Sequence, residues 1–278
     1  MTNVRKELRC PVCHSGFSLS ENGRSLICLG ENKRHCFDLA ASGYVNLAPP
    51  AKNGSGDPKE AVRSRTEFLD KGFYAPIRDA VCGKVAKCGG FVVDAGCGEG
   101  YYSCGIASYC EALVGLDLSK SSIEAAAKRA RREGTGNAFF AVSGIYDMPL
   151  ADACADAVVS IFAPCAEAEF NRVLKEDGLL IVVGAGEDHL LGLKKAVYET
   201  TYKNTERVDM PSSMRLLDEQ RMAYTIQLSD NKSIMDLFSM TPYSYRTGEA
   251  DLQKLKNLDR LTTEVDVTVR VYQKVRND

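Results

Sequence analysis

The chain has 278 residues, 45% hydrophobic and 26% charged, with a formal net charge of −2 at pH 7. That is long enough for one large core and a small one, and no apolar run reaches the length of a membrane span or a signal peptide. Eleven cysteines, an odd number in a chain without secretory features, read as reduced thiols plus a metal site, which argues for the cytoplasm and against a disulfide scaffold. The near-neutral total hides an asymmetry. Lys and Arg exceed Asp and Glu by four up to Arg78 and fall short by six after it, so the basic excess is N-terminal and supports an RNA contact only weakly.

Cys10-Pro-Val-Cys13 is a C-x2-C knuckle, followed by Cys28 and by His35-Cys36. Between them, Phe17–Leu19, Asn22-Gly23 and Ser25–Ile27 have the character of a hairpin. Two thiolates at that spacing grip one face of a metal through a tight turn, and so short a ribbon has no core to fold on without it. A redox C-x-x-C is disfavoured, since it belongs at a helix start in a βαβ unit. Cys10, Cys13 and Cys28 are therefore expected zinc ligands, and His14, His35 and Cys36 all qualify as the fourth. Pro49–Pro58 is rich in Pro, Gly, Ser and Lys without periodicity, which divides the chain into a ribbon at 1–47, a linker at 48–58 and a large domain at 59–278. From Lys59 to Ala86 the pattern is helical, interrupted at Gly72 by a C-cap.

Phe91–Val93 reads as a buried strand that breaks into Asp94-Ala-Gly96-Cys-Gly98-Glu99-Gly100. The strand ends on a carboxylate, unlike the dinucleotide fingerprint, and a carboxylate there suits a cationic ligand. About 20 residues on, Val114–Leu118 is a second strand ending in Asp117, the position of a ribose hydroxyl acceptor. The two acids with the intervening glycines resemble motif I and the ribose acid of the class I S-adenosylmethionine-dependent methyltransferases. That resemblance implies an α/β, Rossmann-like, seven-stranded mixed sheet, with Gly96 and Gly98 along the methionine part of the cofactor and Asp117 on the ribose diol. Leu118, beside Asp117, is a further expected cofactor contact.

Ser119–Ser122 caps a helix running to Glu133, and Asn137–Val142 is the third strand. Gly144–Leu150 then occupies the adenine position, where Gly144 stands in place of the usual acid, so backbone groups around Ile145 are expected to take the contact. A fourth strand, Ala157–Phe162, runs into Ala163-Pro164-Cys165, where Phe162, Ala163 and Pro164 could sandwich a planar base. The Pro-Cys pair also resembles the 5-methylcytosine RNA methyltransferases, which use cysteine chemistry at carbon. Leu179–Val183 is the fifth strand, and His189 after it is the one histidine outside the zinc region. Met222–Leu228, Ile234–Pro242 and Val265–Gln273 fit strand, helix and strand.

Taken together, Cys-Pro-x-Cys at 10–13, His-x-Phe-Asp at 35–38, Gly-Tyr-Val-Asn-Leu at 43–47, Arg-x-x-Phe-Leu-Asp at 65–70, the turn at 94–102, Ala-Pro-Cys at 163–165, His-Leu at 189–190 and Met-Thr-Pro at 240–242 resemble the bacterial 23S rRNA guanine-N1 methyltransferases nearly end to end. The resemblance implies His35 as fourth zinc ligand, and Tyr74, Gly98, Glu99 and His189 as cofactor contacts. It implies methyl transfer from S-adenosylmethionine to N1 of a guanine in a hairpin loop of 23S rRNA, in the hairpin 35 region at nucleotide 745 or 748. It also tips the Pro-Cys question toward nitrogen methylation with a non-nucleophilic Cys165. The expected cofactors are S-adenosylmethionine and a structural zinc ion. The expected partners are 23S rRNA and, as an open option, a second copy of the chain, with no membrane. The ribbon and the helix carrying Arg63 and Arg65 are expected to wall one side of an RNA cleft. Competing readings are a cytosine-C5 RNA enzyme, a small-molecule methyltransferase, and a non-enzymatic zinc-ribbon RNA-binding or resistance factor; the intact Asp94, Gly96, Gly98 and Asp117 argue against the last.

Overall fold

Phe91–Ala95 is buried at every position and forms an inner strand of an eight-stranded sheet, in a computed structural model that describes residues 6–31, 33–49, 56–205 and 213–275. Residues 50–55 of the expected linker lie outside the described residues. In chain order the elements are β1 (Phe17–Leu19), β2 (Ser25–Cys28), β3 (Cys36–Asp38), β4 (Val45–Asn46), α1 (Lys59–Asp70), α2 (Ala75–Val85), β5 (Phe91–Ala95), α3 (Tyr101–Ala107), β6 (Ala112–Asp117), α4 (Lys120–Glu133), β7 (Ala138–Val142), β8 (Ala155–Ile161), α5 (Glu167–Val173), β9 (Leu174–Ala185), α6 (Leu191–Val197), β10 (Met214–Leu228), α7 (Asn231–Ser239), α8 (Glu249–Lys256) and β11 (Leu261–Lys274).

The large sheet has the order β10-β11-β9-β8-β5-β6-β7-β4. Six strands from β4 to β9 run parallel, and β11 and β10 close the other edge as an antiparallel pair. Strand order reverses between β5 and β8, which opens a crevice at their carboxyl ends where α/β sheets bind ligands. The expected count of seven strands is corrected to eight. Val45 and Asn46, from the N-terminal segment, pair in parallel with Ala141 and Val142 of β7 and add an edge strand.

The N-terminal β1-β2-β3 ribbon is antiparallel and lies against the sheet. Leu8 bridges Leu150, and the Arg9 N–H donates to the Pro149 carbonyl at 2.8 Å. Leu8, Phe17 and Leu26 join Val93, Val114, Phe139, Met148, Leu150 and Phe170 in one apolar cluster, so ribbon and sheet share a core. The opposite cluster, with Val92, Leu113, Val159 and Val183, packs against Phe68, Ile77, Leu193, Leu237 and Leu255 from the helices. Gly72 ends α1 as expected, left-handed at φ 80° with its N–H on the Leu69 carbonyl. Ser119 caps α4, its hydroxyl accepting from the Ser122 N–H.

Candidate cofactor pocket and metal centre

The ribbon brings Cys10, Cys13, Cys28 and His35 together, their ligand atoms all within 4.8 Å of one another. Cys13 Sγ lies 3.8 Å from Cys28 Sγ, and His35 Nδ1 lies 3.6 Å from Cys10 Sγ and 3.4 Å from Cys28 Sγ. Zinc–sulfur bonds of about 2.3 Å in a tetrahedron separate the sulfurs by roughly 3.8 Å, so the donor set fits that ion. Backbone N–H groups prepare the thiolates. The hydrogen bond from Ser15 pulls the Cys13 thiol down to about 7, and the His35 N–H, 2.9 Å from Cys28 Sγ, lowers the Cys28 thiol. Cys36 is exposed at the start of β3, His14 is exposed in the knuckle turn, and neither belongs to the group.

In the glycine-rich turn after β5, the N–H groups of Gly96 and Cys97 both donate to the Leu116 carbonyl, which ties it to the end of β6. Gly96 is left-handed at φ 83°, and a Cβ there would lie 2.8 Å from the Ala163 Cβ, so only glycine leaves the loop after β8 this close. Asp117, at the end of β6, is held by both oxygens: Oδ2 accepts from the Gly98 N–H at 3.1 Å and Oδ1 from the Ser119 N–H at 2.7 Å. Asp94 is 2% exposed and accepts from the Ser103 hydroxyl at 2.5 Å. Burial pushes the Asp94 carboxyl up to about 7, Ser103 opposes this, and the nearby Asp117 and Glu99 add to it. Burial likewise raises Glu99 and Asp117. Three carboxylates converging on an open glycine turn fit a ligand that brings a positive charge and hydroxyl donors.

A second group faces this turn. Tyr74, ahead of α2, places its hydroxyl 3.4 Å from His189 Nε2, and the His189 ring stacks on Phe162 at 5.6 Å and 27°. Phe162 also lies 6.2 Å from Tyr74, holds a left-handed φ of 52°, and is 43% exposed. Burial lowers His189 to about 4, so its imidazole is neutral near pH 7. Its Nδ1 accepts from the Asp266 N–H at 3.3 Å, which assigns the ring proton to Nε2, toward Tyr74. Asp266 is in turn fixed by Arg221, at 2.9 and 3.0 Å.

The structure brings most of the expected cofactor residues into two groups near the ends of β5, β6 and β8. Asp94, Gly96, Gly98, Glu99 and Asp117 form one wall; Tyr74 and His189 join Phe162 in the other; Leu118 follows Asp117, and Ile145 is buried beyond β7, where the Ser143 N–H donates to the Asp117 carbonyl. Cys165 is half-buried and packs against the core cluster. Three participants escaped the sequence reading. Ser103 stands nine residues after its partner and looks like any helix serine. Tyr102, whose buried hydroxyl has no hydrogen-bond partner among the described residues and whose ionisation is opposed by burial and by both Tyr74 and Glu99, joins the two walls. Arg65, expected with Arg63 on the helix that walls an RNA cleft, has a side chain only 24% exposed.

A strand-end acid pair and a glycine turn at the switch point of a mostly parallel sheet define a class I S-adenosylmethionine-dependent methyltransferase, here with an N-terminal zinc ribbon. A family model described as "Methyltransferase domain" matches residues 87–239, and a zinc-ribbon model described as "RlmA, N-terminal" matches residues 8–55. YxjB of Bacillus subtilis (strain 168), whose assigned name is that of a 23S rRNA (guanine-N1)-methyltransferase, is 32% identical over 281 residues, 96% of each chain. The 23S rRNA (guanine(748)-N(1))-methyltransferase of Streptomyces fradiae is 29% identical over 283 residues, 96% of this chain and 97% of that one. The chain belongs to the 23S rRNA (guanine-N1)-methyltransferase family. The crystal structure of YcgJ from Bacillus subtilis, at 16% identity and a TM-score of 0.51 over 70% of this chain and 98% of that one, shares the fold of the large domain. The cofactor is S-adenosylmethionine and the structural metal is zinc.

Proposed function

We propose that this chain transfers a methyl group from S-adenosylmethionine to N1 of a guanine in a hairpin loop of 23S rRNA. The observation that carries the reading is the relationship to named guanine-N1 enzymes over 96% of the chain, which spans ribbon, cofactor turn and C-terminal strands together. S-adenosylmethionine would supply a methyl on a sulfonium for in-line displacement by the ring nitrogen: the sulfur–methyl bond breaks as the nitrogen–methyl bond forms, the thioether departs, and the N1 proton is lost.

The chain's own residues divide the remaining work. Asp117 and Glu99 accept from ribose hydroxyls, Gly96 and Gly98 let the methionine part approach the backbone, and Asp94 faces its positive charge. Leu118 and Ile145 flank the adenine, and Tyr74 with the neutral His189 completes the wall next to the methyl. Cys10, Cys13, Cys28 and His35 hold zinc, a closed four-ligand site with no position for catalysis. Phe162, exposed at the end of β8 and backed by His189, is the platform on which a guanine stacks, with Ala163 and Pro164 beside it. Because N1 lies on the pairing edge, the target must be unpaired or flipped, which suits a hairpin loop. A nitrogen target needs no covalent intermediate, consistent with Cys165 packing against the core. Among the described residues no helix is long and apolar enough to cross a membrane, and an rRNA substrate assigns the reaction to the cytoplasm.

Primer extension through 23S rRNA treated with the purified protein tests the reading, because a methyl on N1 stops reverse transcriptase. A new stop at a hairpin-loop guanine that requires S-adenosylmethionine is the expected result. Methyl incorporation without a stop would transfer the assignment to a carbon or ribose target and bring Cys165 back as a nucleophile. No incorporation would overturn the rRNA reading.

A further inference from the structure

The carboxylates of the cofactor pocket face a cation that comes from a distant element. Arg65 and Arg63 sit two residues apart on α1, and the helix turns them apart: the Arg63 side chain is 74% exposed, that of Arg65 24%. The Arg65 guanidinium lies beside the glycine turn, where a Cβ on Gly98 would meet its Nη1 at 3.7 Å. It opposes the effect of burial on both Glu99 and Asp117. Its Nη2 donates to Asp57 Oδ2 at 2.5 Å.

Asp57 is itself anchored. Its carbonyl accepts from the hydroxyls of Ser119 at 3.2 Å and Ser121 at 2.9 Å, at the start of α4. Gly56, at φ 108°, sits so close to Ser119 that a Cβ would lie 2.6 Å from the Ser119 Cα. Ser119 is the residue whose N–H holds Asp117. The residues just ahead of α1 therefore form a strap over the strand end that carries the ribose acceptor, and the strap fixes the guanidinium.

We infer that Arg65, held by the Asp57 strap beside the glycine turn, is the built-in counter-ion of the cofactor pocket, its positive charge facing the carboxylates of Glu99 and Asp117 that accept hydrogen bonds from the cofactor, and that it does not serve as an RNA contact. A carboxylate accepts from two hydroxyls at once, whereas its protonated form must spend one oxygen as a donor. Of the other charged groups facing the pair, Arg129 also favours the ionised Glu99, and Arg65 is the cation that acts on both acids. Asp94 on β5 and Asp57 on the strap add negative charge, and Arg129 on α4 points its Nη1 at Asp70 and Glu133 while its Nε reaches the Glu99 carbonyl at 3.3 Å. The inference rests on Glu99 and Asp117 as cofactor contacts and is independent of the target base. Arg65 is thus a positioning residue, acting through two acids.

The test is S-adenosylmethionine binding to the zinc-loaded protein by equilibrium dialysis between pH 6.5 and 9, for wild type, R65Q and R65K, with melting curves of each in the absence of cofactor. Loss of one opposite charge shifts a carboxylate up by roughly one unit or more, so R65Q should bind more weakly than wild type toward the acid end of the range, by up to about tenfold. Raising the carboxylates makes the acceptors disappear at a higher pH as pH falls, so the deficit relative to wild type should close by pH 9. R65K, which keeps the charge, should stay within about threefold of wild type throughout. If R65Q does not fold, R65M, which retains the aliphatic stem, repeats the measurement. An equal, pH-independent loss in R65Q and R65K would reduce Arg65 to a packing role. Cofactor binding by R65Q that is unchanged across the whole pH range would overturn the inference. The rRNA reading fails on the absence of a primer stop, whereas this inference is read without RNA.

Discussion

Asp94 is the residue on which the cofactor's charge can be measured. Its carboxyl is buried at the end of β5 with a single hydroxyl donor, and burial brings it to about 7. In the cofactor-free protein the ionised form is the disfavoured one, so the contribution of Asp94 to stability is present at low pH and lost as pH rises through 7. A bound cation reverses that preference, because an opposite charge within a few ångströms lowers a carboxyl. Binding below pH 7 should therefore release a proton, and affinity should climb from pH 6 to pH 8 before levelling. Calorimetry in two buffers of unequal protonation enthalpy reads the proton directly. D94N should abolish both the release and the slope and weaken binding by about 10- to 100-fold. A proton count of zero in wild type at pH 6.5 would mean that Asp94 does not face the positive charge.

At the level of elements, β6 and the turn after β5 are fitted to one another through an absent side chain. A Cβ on Gly115 would lie 2.6 Å from the Phe140 ring and 2.9 Å from Cys97 Sγ, inside the turn that carries Gly96 and Gly98. G115A should therefore cost about 1–3 kcal/mol in urea unfolding and weaken S-adenosylmethionine binding as Cys97 is displaced; a stable variant with loss of neither would show that the turn yields freely. The same elements explain what could be read beforehand. Strands β5 to β9 are legible because parallel strands covered on both faces keep continuous apolar runs, and the acids and glycines are legible because each belongs to one local turn. Strand β4 is two residues long and owes its existence to a partner almost a hundred positions away, so no local pattern carries it. Strand β10 begins at Met214, well ahead of the apolar stretch at Met222, because its first half carries Arg215, Asp218, Glu219 and Arg221 on a sheet edge. The inward turn of Arg65 depends on how α1 packs, which its charge does not reveal.

Across the whole molecule the ribbon is joined to the sheet by shared apolar contacts and by β4, which lies against β7 immediately after the ribbon. Deleting residues 1–47 would strip an edge strand and uncover Phe139, Met148 and Leu150, so it would damage the sheet as well as removing the ribbon. Losing zinc is the cleaner perturbation. The ribbon's three strands have no core of their own apart from the one they share, so the metal's binding free energy is what keeps Leu8, Phe17 and Leu26 seated on the sheet. C13A, which removes one of four ligands at an exposed position, should reduce bound zinc from one per chain to none and lower the melting temperature by about 10 °C, given several kcal/mol lost at roughly 2–4 °C each. Cofactor affinity measured well below that midpoint should stay within about threefold, because the crevice is built at the ends of β5, β6 and β8 and none of the four metal ligands belongs to it. Methylation of rRNA should fall by at least tenfold, on the reading that the ribbon walls one side of the RNA cleft. Zinc loss that leaves rRNA methylation intact would assign the ribbon a purely structural task, and loss of cofactor binding in step with zinc would mean that ribbon and pocket unfold together through the core they share.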